Sequence, residues 1–111
     1  MFDANTGDLY FDNFNAGMFN PTGGVYRASA ESDYQEINEV IGGLVTPNGI
    51  TFDSTCSSLY VSETGLNRII KVSLKDGVAK PGFLSCCVVY QGQGLHGPDS
   101  SRLDASGNLY Q

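Results

Sequence analysis

Apolar and polar positions alternate along much of this chain with period two. The run from Arg68 to Leu74 shows it best. Ile70, Val72 and Leu74 fall on one face, and Ile69, Lys71 and Ser73 on the other. Such runs are short and are broken by Gly, Asn, Asp and Ser, the residues of tight turns. No stretch carries a convincing amphipathic helical period. The pattern predicts an all-β chain of short strands.

Over this alternation lies a longer period. Phe2-Asp3 leads to Leu9-Tyr10, Phe52-Asp53 to Leu59-Tyr60, and Leu103-Asp104 to Leu109-Tyr110. The three leucines that open the second half of the phrase stand fifty residues apart. A period of that length marks a repeated supersecondary unit, and its strand-and-turn content reads as β-propeller blades. The chain holds about two periods. It is therefore read as a partial propeller: most of one blade in 1–46, a full blade in 47–97 and the start of a third in 98–111.

Each period divides into four antiparallel strands, A to D. The A–B turns are Ala4 to Asp8, Ser54 to Ser57 and Ala105 to Asn108. Strand B is Leu9 to Phe11, then Leu59 to Ser62, then Leu109 onward. Strand C is Val25 to Ser29, then Arg68 to Leu74. Strand D is Glu39 to Ile41, then Phe83 to Tyr90. That last run is apolar on both faces, which is hazardous in an outermost strand. Either something covers it or the order differs there. An eight-stranded sandwich would also use short strands and turns. It would not call for the fifty-residue phrase.

Composition narrows the partners. The net charge is −6 with only six Lys and Arg. Nucleic acid and anionic membrane both demand clustered positive charge, so neither is an expected partner. No apolar run approaches the roughly 20 residues that span a bilayer. A soluble chain is expected, cytoplasmic or secreted. Cys56, Cys86 and Cys87 lack metal-type pairing, and neighbours on a strand point to opposite faces. They read as small buried hydrophobes, with a disulfide from Cys56 to one of the other two left open.

Candidate chemistry lies just ahead of strand A. Pro47-Asn48-Gly49 and Pro98-Asp99-Ser100 stand one blade apart. Equivalent positions of successive blades converge on a propeller's axis, so Asn48 and Asp99 should meet there. An amide oxygen and a carboxylate are hard donors suited to Ca²⁺ or Mg²⁺. Each tripeptide alone is also an ordinary turn sequence. Strand direction puts the B–C loops on the same face, so Asp12 to Pro21, Glu63 to Asn67 and His96 should ring the same mouth. Asn13, Asn15, Asn20 and Asn67 also suit plain turns, and Glu63-Thr64-Gly65 a turn cap.

Leu44-Val45-Thr46-Pro47-Asn48-Gly49-Ile50, followed by Leu59 to Ile69 with its Glu63-Thr64-Gly65-Leu66-Asn67-Arg68, resembles the gluconolactonase and regucalcin (senescence marker protein) family. Gly97-Pro98-Asp99 before Arg102-Leu103-Asp104 is similar to a later Pro-Asp-Gly segment of that family. The resemblance implies a six-bladed propeller with one divalent cation in its central tunnel. It implies hydrolysis of sugar lactones, with phosphotriesters a substrate of relatives. By motif, the ligand Asn falls on Asn48 and the ligand Asp on Asp99, with Asp99 also the catalytic residue. Ca²⁺ is the first expectation, with Zn²⁺ or Mg²⁺ as alternatives. A ligand Glu and a further Asn of the family pattern would lie ahead of Met1. Ser100 replaces the family's Gly, and Asp12 to Met18 departs from its usual loop.

On this reading the substrate is a small lactone or sugar derivative. The remaining partners are further blades of the same protein or copies of itself. The isolated chain is expected to be inactive and poorly soluble. Two other readings stay open: a non-catalytic propeller scaffold, and a two-blade subunit of a trimeric ring.

Overall fold

The computed structural model of the chain describes residues 1–15, 21–80, 87–94 and 97–111. The expectations placed on His96, on residues 16–20 and on Phe83 to Cys86 lie outside them. Three antiparallel sheets follow one another along the chain. The first is β1 (Leu9–Asn13), β2 (Gly23–Ala28) and β3 (Ile37–Leu44), in that order, with Phe2 bridging to Leu9. The second runs β4 (Pro47–Phe52), β5 (Ser58–Glu63) and β6 (Arg68–Lys75). The free edge of β6 is shared by β7 (Val78–Ala79) at one end and β8 (Val88–Gln91) at the other. The third is the hairpin β9 (Arg102–Leu103) and β10 (Leu109–Tyr110). This is a partial β-propeller.

The repeated aspartate explains the repeated phrase. In each unit its N–H donates to a carbonyl across the hairpin: Asp3 to Asp8, Asp53 to Ser58 and Asp104 to Asn108. Its carboxylate then gathers the turn. Asp3 Oδ1 accepts from the N–H groups of Asn5 and Thr6. Asp53 accepts from Thr55 and Ser57, through backbone and hydroxyl alike. Asp104 accepts from the N–H groups of Ser106 and Asn108, the Asn108 side chain and the Tyr110 hydroxyl. An Asx-type turn needs an acceptor at its first position, and that requirement recurs with the blade. The left-handed residue is Gly7 or Gly107 in the outer turns but Cys56, at φ 57°, in the middle one.

These hydrogen bonds leave a pH signature. Burial raises the Asp53 carboxyl, but the hydrogen bonds at Ser58, Thr55 and Ser57 outweigh it and hold it below the usual aspartate value. Asp104 is lowered too, chiefly by Asn108. A carboxyl whose folded value lies below its unfolded value stabilises the fold above the unfolded value. That contribution disappears as pH falls through the folded value. The denaturation midpoint should therefore hold down to about pH 5 and drop below the usual carboxylate range. Asp53→Asn should flatten part of that drop. A midpoint with the same acid dependence in this variant would contradict the assignment.

The core is the interface of the first two sheets. Tyr10, Val25, Val40, Ile41 and Leu44 face Ile50, Phe52, Leu59, Val61, Ile70 and Val72. Tyr10 meets Phe52 edge to face at 4.9 Å, an arrangement favoured by the ring quadrupoles. At the A–B turn end, Arg27 Nε lies 3.0 Å from Asp8 Oδ2 as an ion pair without hydrogen-bond geometry. Arg27 Nη1 donates to the Asp76 carbonyl of the second blade.

Several sequence expectations change in detail. Strand D of the first blade is longer, Ile37 to Leu44. The β6–β7 hairpin turns on the Asp76-Gly77 pair (φ 54° and 79°), a two-residue Asp-Gly loop that the four-strand division of the blade passes over. Cys56 is a free, half-buried thiol, so the disulfide left open for it is not formed. Strand β8 pairs where expected. Nothing among the described residues covers it, and Val88, Val89 and Tyr90 stand 48%, 49% and 51% exposed. The apolar edge is real, and the strand order is not at fault. Among the described residues no helix is long and apolar enough to cross a membrane.

Candidate functional site

The end of the sheets where β4 begins and β5 finishes gathers the sequence-marked residues. Pro47 pairs with Glu63 and Ile50 with Val61, so β4 carries one extra residue at Asn48-Gly49. A bulge of this kind bends the strand and re-aims a side chain. Asn48 is half-buried and Asp99 exposed, just after the buried Pro98. The two segments abut. A Cβ on Gly49 would collide with the Asp99 carbonyl oxygen and lie 2.9 Å from Ser100 Cα. Only glycine lets these backbones approach so closely.

Their oxygen donors differ from the other polar groups nearby. Among the described residues, neither the Asn48 amide nor the Asp99 carboxylate takes part in a hydrogen bond. Asp53 and Asp104, by contrast, are fully engaged in their turns. Among the described residues no group of three or more His, Cys, Asp or Glu side chains could by itself hold a metal ion. An amide oxygen and a carboxylate are donors of the kind that a hard cation takes.

The loop residues divide. Asn13 and Asn15 are exposed, linked by Asn15 N–H donating to the Asn13 carbonyl. Asn67, expected at the mouth, is a left-handed turn residue at φ 49° whose amide donates to the Gly94 carbonyl. Glu63, also expected there, is fully buried. Its Oε1 accepts from Val45 N–H at 2.7 Å, and its Oε2 accepts from Arg68 Nε at 2.6 Å. Buried and with each oxygen already engaged, Glu63 is turned to holding the chain and is closed to a substrate hydroxyl. Its role was legible in one respect. Glu63 and Arg68 face each other across the β5–β6 ladder, and opposite charges at such positions attract. The bond to Val45 joins segments distant in sequence and has no local signal.

Comparison with known proteins agrees with the fold and the motifs. The lactonase drp35 of Staphylococcus aureus strain USA300 is 35% identical over 111 residues, covering 99% of this chain and 33% of its own. The lactonase drp35 of Staphylococcus saprophyticus is 36% identical with the same coverage. The chain thus spans about a third of these relatives' length. The crystal structure of regucalcin from Agrobacterium tumefaciens, described as a calcium-binding protein, superposes with a TM-score of 0.70. It shares 21% identity over 93% of this chain and 34% of that one. A luciferin-regenerating enzyme superposes at 0.64 with 18% identity, over 97% and 36%. The family profile itself runs from residue 3 to residue 111, taking in all three Asp-led hairpins and both Pro-Asn and Pro-Asp segments. The chain belongs to the SMP-30/gluconolactonase/LRE-like family.

Proposed function

We infer that this chain supplies Asn48 and Asp99 to a divalent-cation site in a hydrolase that opens lactones. The observation that carries the reading is the pair of abutting segments whose side-chain oxygens meet no hydrogen-bond donor among the described residues. Membership of the family and the 35% identity to a protein named as a lactonase supply the reaction class. Ca²⁺ is the favoured ion because both donors are hard oxygens; Zn²⁺ or Mg²⁺ are alternatives.

A cation bound there supplies Lewis-acid polarisation of the lactone carbonyl and a lower pKa for a bound water. Asn48 contributes a neutral oxygen, which keeps the site's negative charge low. Asp99 contributes a charged oxygen and, being exposed, can accept a proton from the attacking water. Its place beside Gly49 holds it in register with Asn48. The exposed Asn13 and Asn15 at the same end are suited to contact substrate hydroxyls. Two donors fall short of the 6–8 oxygens that Ca²⁺ takes, so these 111 residues alone should not turn over substrate.

In the complete polypeptide that carries this sequence, Asp99→Ala should reduce cation-stimulated lactone hydrolysis to the rate without added cation. Unchanged turnover would refute the assignment and favour a non-catalytic scaffold. A closed ring of three two-blade copies is the other reading. Each copy carries three Asp-led hairpins, however, so three copies bring nine to a ring with six places. One hairpin per copy would have to be displaced.

A further inference from the structure

Several features lie outside the site. A cavity of about 340 Å³ at the A–B turn end is lined by Asp3, Asp8, Tyr10, Arg27, Cys56 and Asp76. The Asp3 and Asp8 carboxylates there are already held by turn N–H groups, by Ala30 N–H and by Arg27. The exposed face of β8 has nothing to say what covers it. The Glu63-Thr64 dipeptide goes further.

We propose that Glu63 and Thr64 are positioning residues for the Asn48–Asp99 site, a clamp that fixes both approach segments from the end of a single strand. The proposal rests on the reading that these two residues hold a cation. Ahead of Asn48, Glu63 Oε1 accepts from Val45 N–H and Thr64 N–H donates to the Thr46 carbonyl at 3.1 Å. Thr46 sits at φ 47°, a backbone state that needs such support in a β-branched residue. Ahead of Asp99, Thr64 Oγ1 donates to the Pro98 carbonyl. Gly97 packs so closely on the Thr64 carbonyl that a Cβ there would clash with it. Arg68 locks the second Glu63 oxygen from β6. Two segments fifty residues apart therefore take their positions from one dipeptide. Asn48 lies three residues beyond Val45, and Asp99 one residue beyond Pro98.

Two readouts test this in the complete polypeptide: backbone hydrogen exchange, and the Ca²⁺ concentration giving half-maximal lactone hydrolysis. Thr64→Val removes the hydroxyl and keeps the shape. Losing one net hydrogen bond corresponds to roughly a tenfold effect. Exchange should rise by about that factor in 97–101, with a smaller rise in 45–49, and stay level at Leu59 to Val61. The Ca²⁺ requirement should rise by a similar factor. Thr64→Ser, which keeps the hydroxyl, should restore both. Glu63→Gln keeps an oxygen for Val45 but turns an NH₂ donor toward Arg68 Nε, which unlocks the side chain that holds Val45, and should loosen 45–49 without moving 97–101. Unaltered exchange at 97–101 in Thr64→Val would overturn the clamp. Faster exchange with an unaltered Ca²⁺ requirement would leave a structural contact only, and would overturn the positioning role. If Asp99→Ala leaves hydrolysis intact, the cation reading itself falls, and the exchange data then report on the clamp separately.

Discussion

In the complete polypeptide, and on the proposed function, Gly49→Ala is expected to cost about 100-fold in cation-dependent lactone turnover, the scale of loss that a misplacement near 1 Å can bring. The methyl group would meet the Asp99 carbonyl oxygen and Ser100 Cα. Both are backbone atoms, so no side chain can rotate away. The Asp99-Ser100 segment must move, and with it the carboxylate proposed to share a cation with Asn48. Overpacking of this sort also destabilises by about 1–3 kcal/mol. Turnover and the denaturation midpoint of the same sample check both parts. Wild-type turnover in the alanine variant would show that the approach of these backbones has no bearing on activity.

Tyr10→Ala should be the most destabilising core substitution, at about 3–5 kcal/mol. Tyr10 is 1% exposed and is the largest wholly buried side chain of the first sheet. It meets Phe52 of the second sheet edge to face and donates its hydroxyl to the Gly77 carbonyl at 3.2 Å. Truncation leaves a cavity between the blades and an unpaired carbonyl. A domain of this size has about 5–15 kcal/mol in all, so a fifth of the stability or more is at stake. The melting temperature should fall by roughly 4–8 °C per kcal/mol. Tyr10→Phe removes only the hydroxyl and should cost about 1 kcal/mol. Equal midpoints for the two variants would mean that the ring contact between blades contributes little.

Much of the fold was legible because its causes are local. The alternation from Arg68 to Leu74 is what a half-buried strand requires, and β6 occupies Arg68–Lys75. The fifty-residue phrase returns because each blade opens on the same aspartate-led turn. The family resemblance read from Leu44 to Ile69 holds across residues 3–111. What escaped the sequence is non-local. Glu63 ends a strand and precedes a turn, which reads as an exposed position. It is buried because Val45, from the β3–β4 connection, and Arg68, from β6, arrive to satisfy it. Asn67 reads equally well as a mouth residue or a turn former. Only the approach of Gly92 and Gly94 decides for the turn.

The order of residues alone determined the strands, the turns between them, the blade period and the two oxygen-bearing tripeptides, since alternation and turn chemistry act over a few neighbouring positions. Tertiary packing decided the fate of Glu63. Asp53 and Asp104 are taken up by donors inside their own turns, whereas the N–H that holds Glu63 comes from Val45, 18 residues away. That N–H reaches the carboxylate only once the strands are paired, and no short window of sequence contains that information.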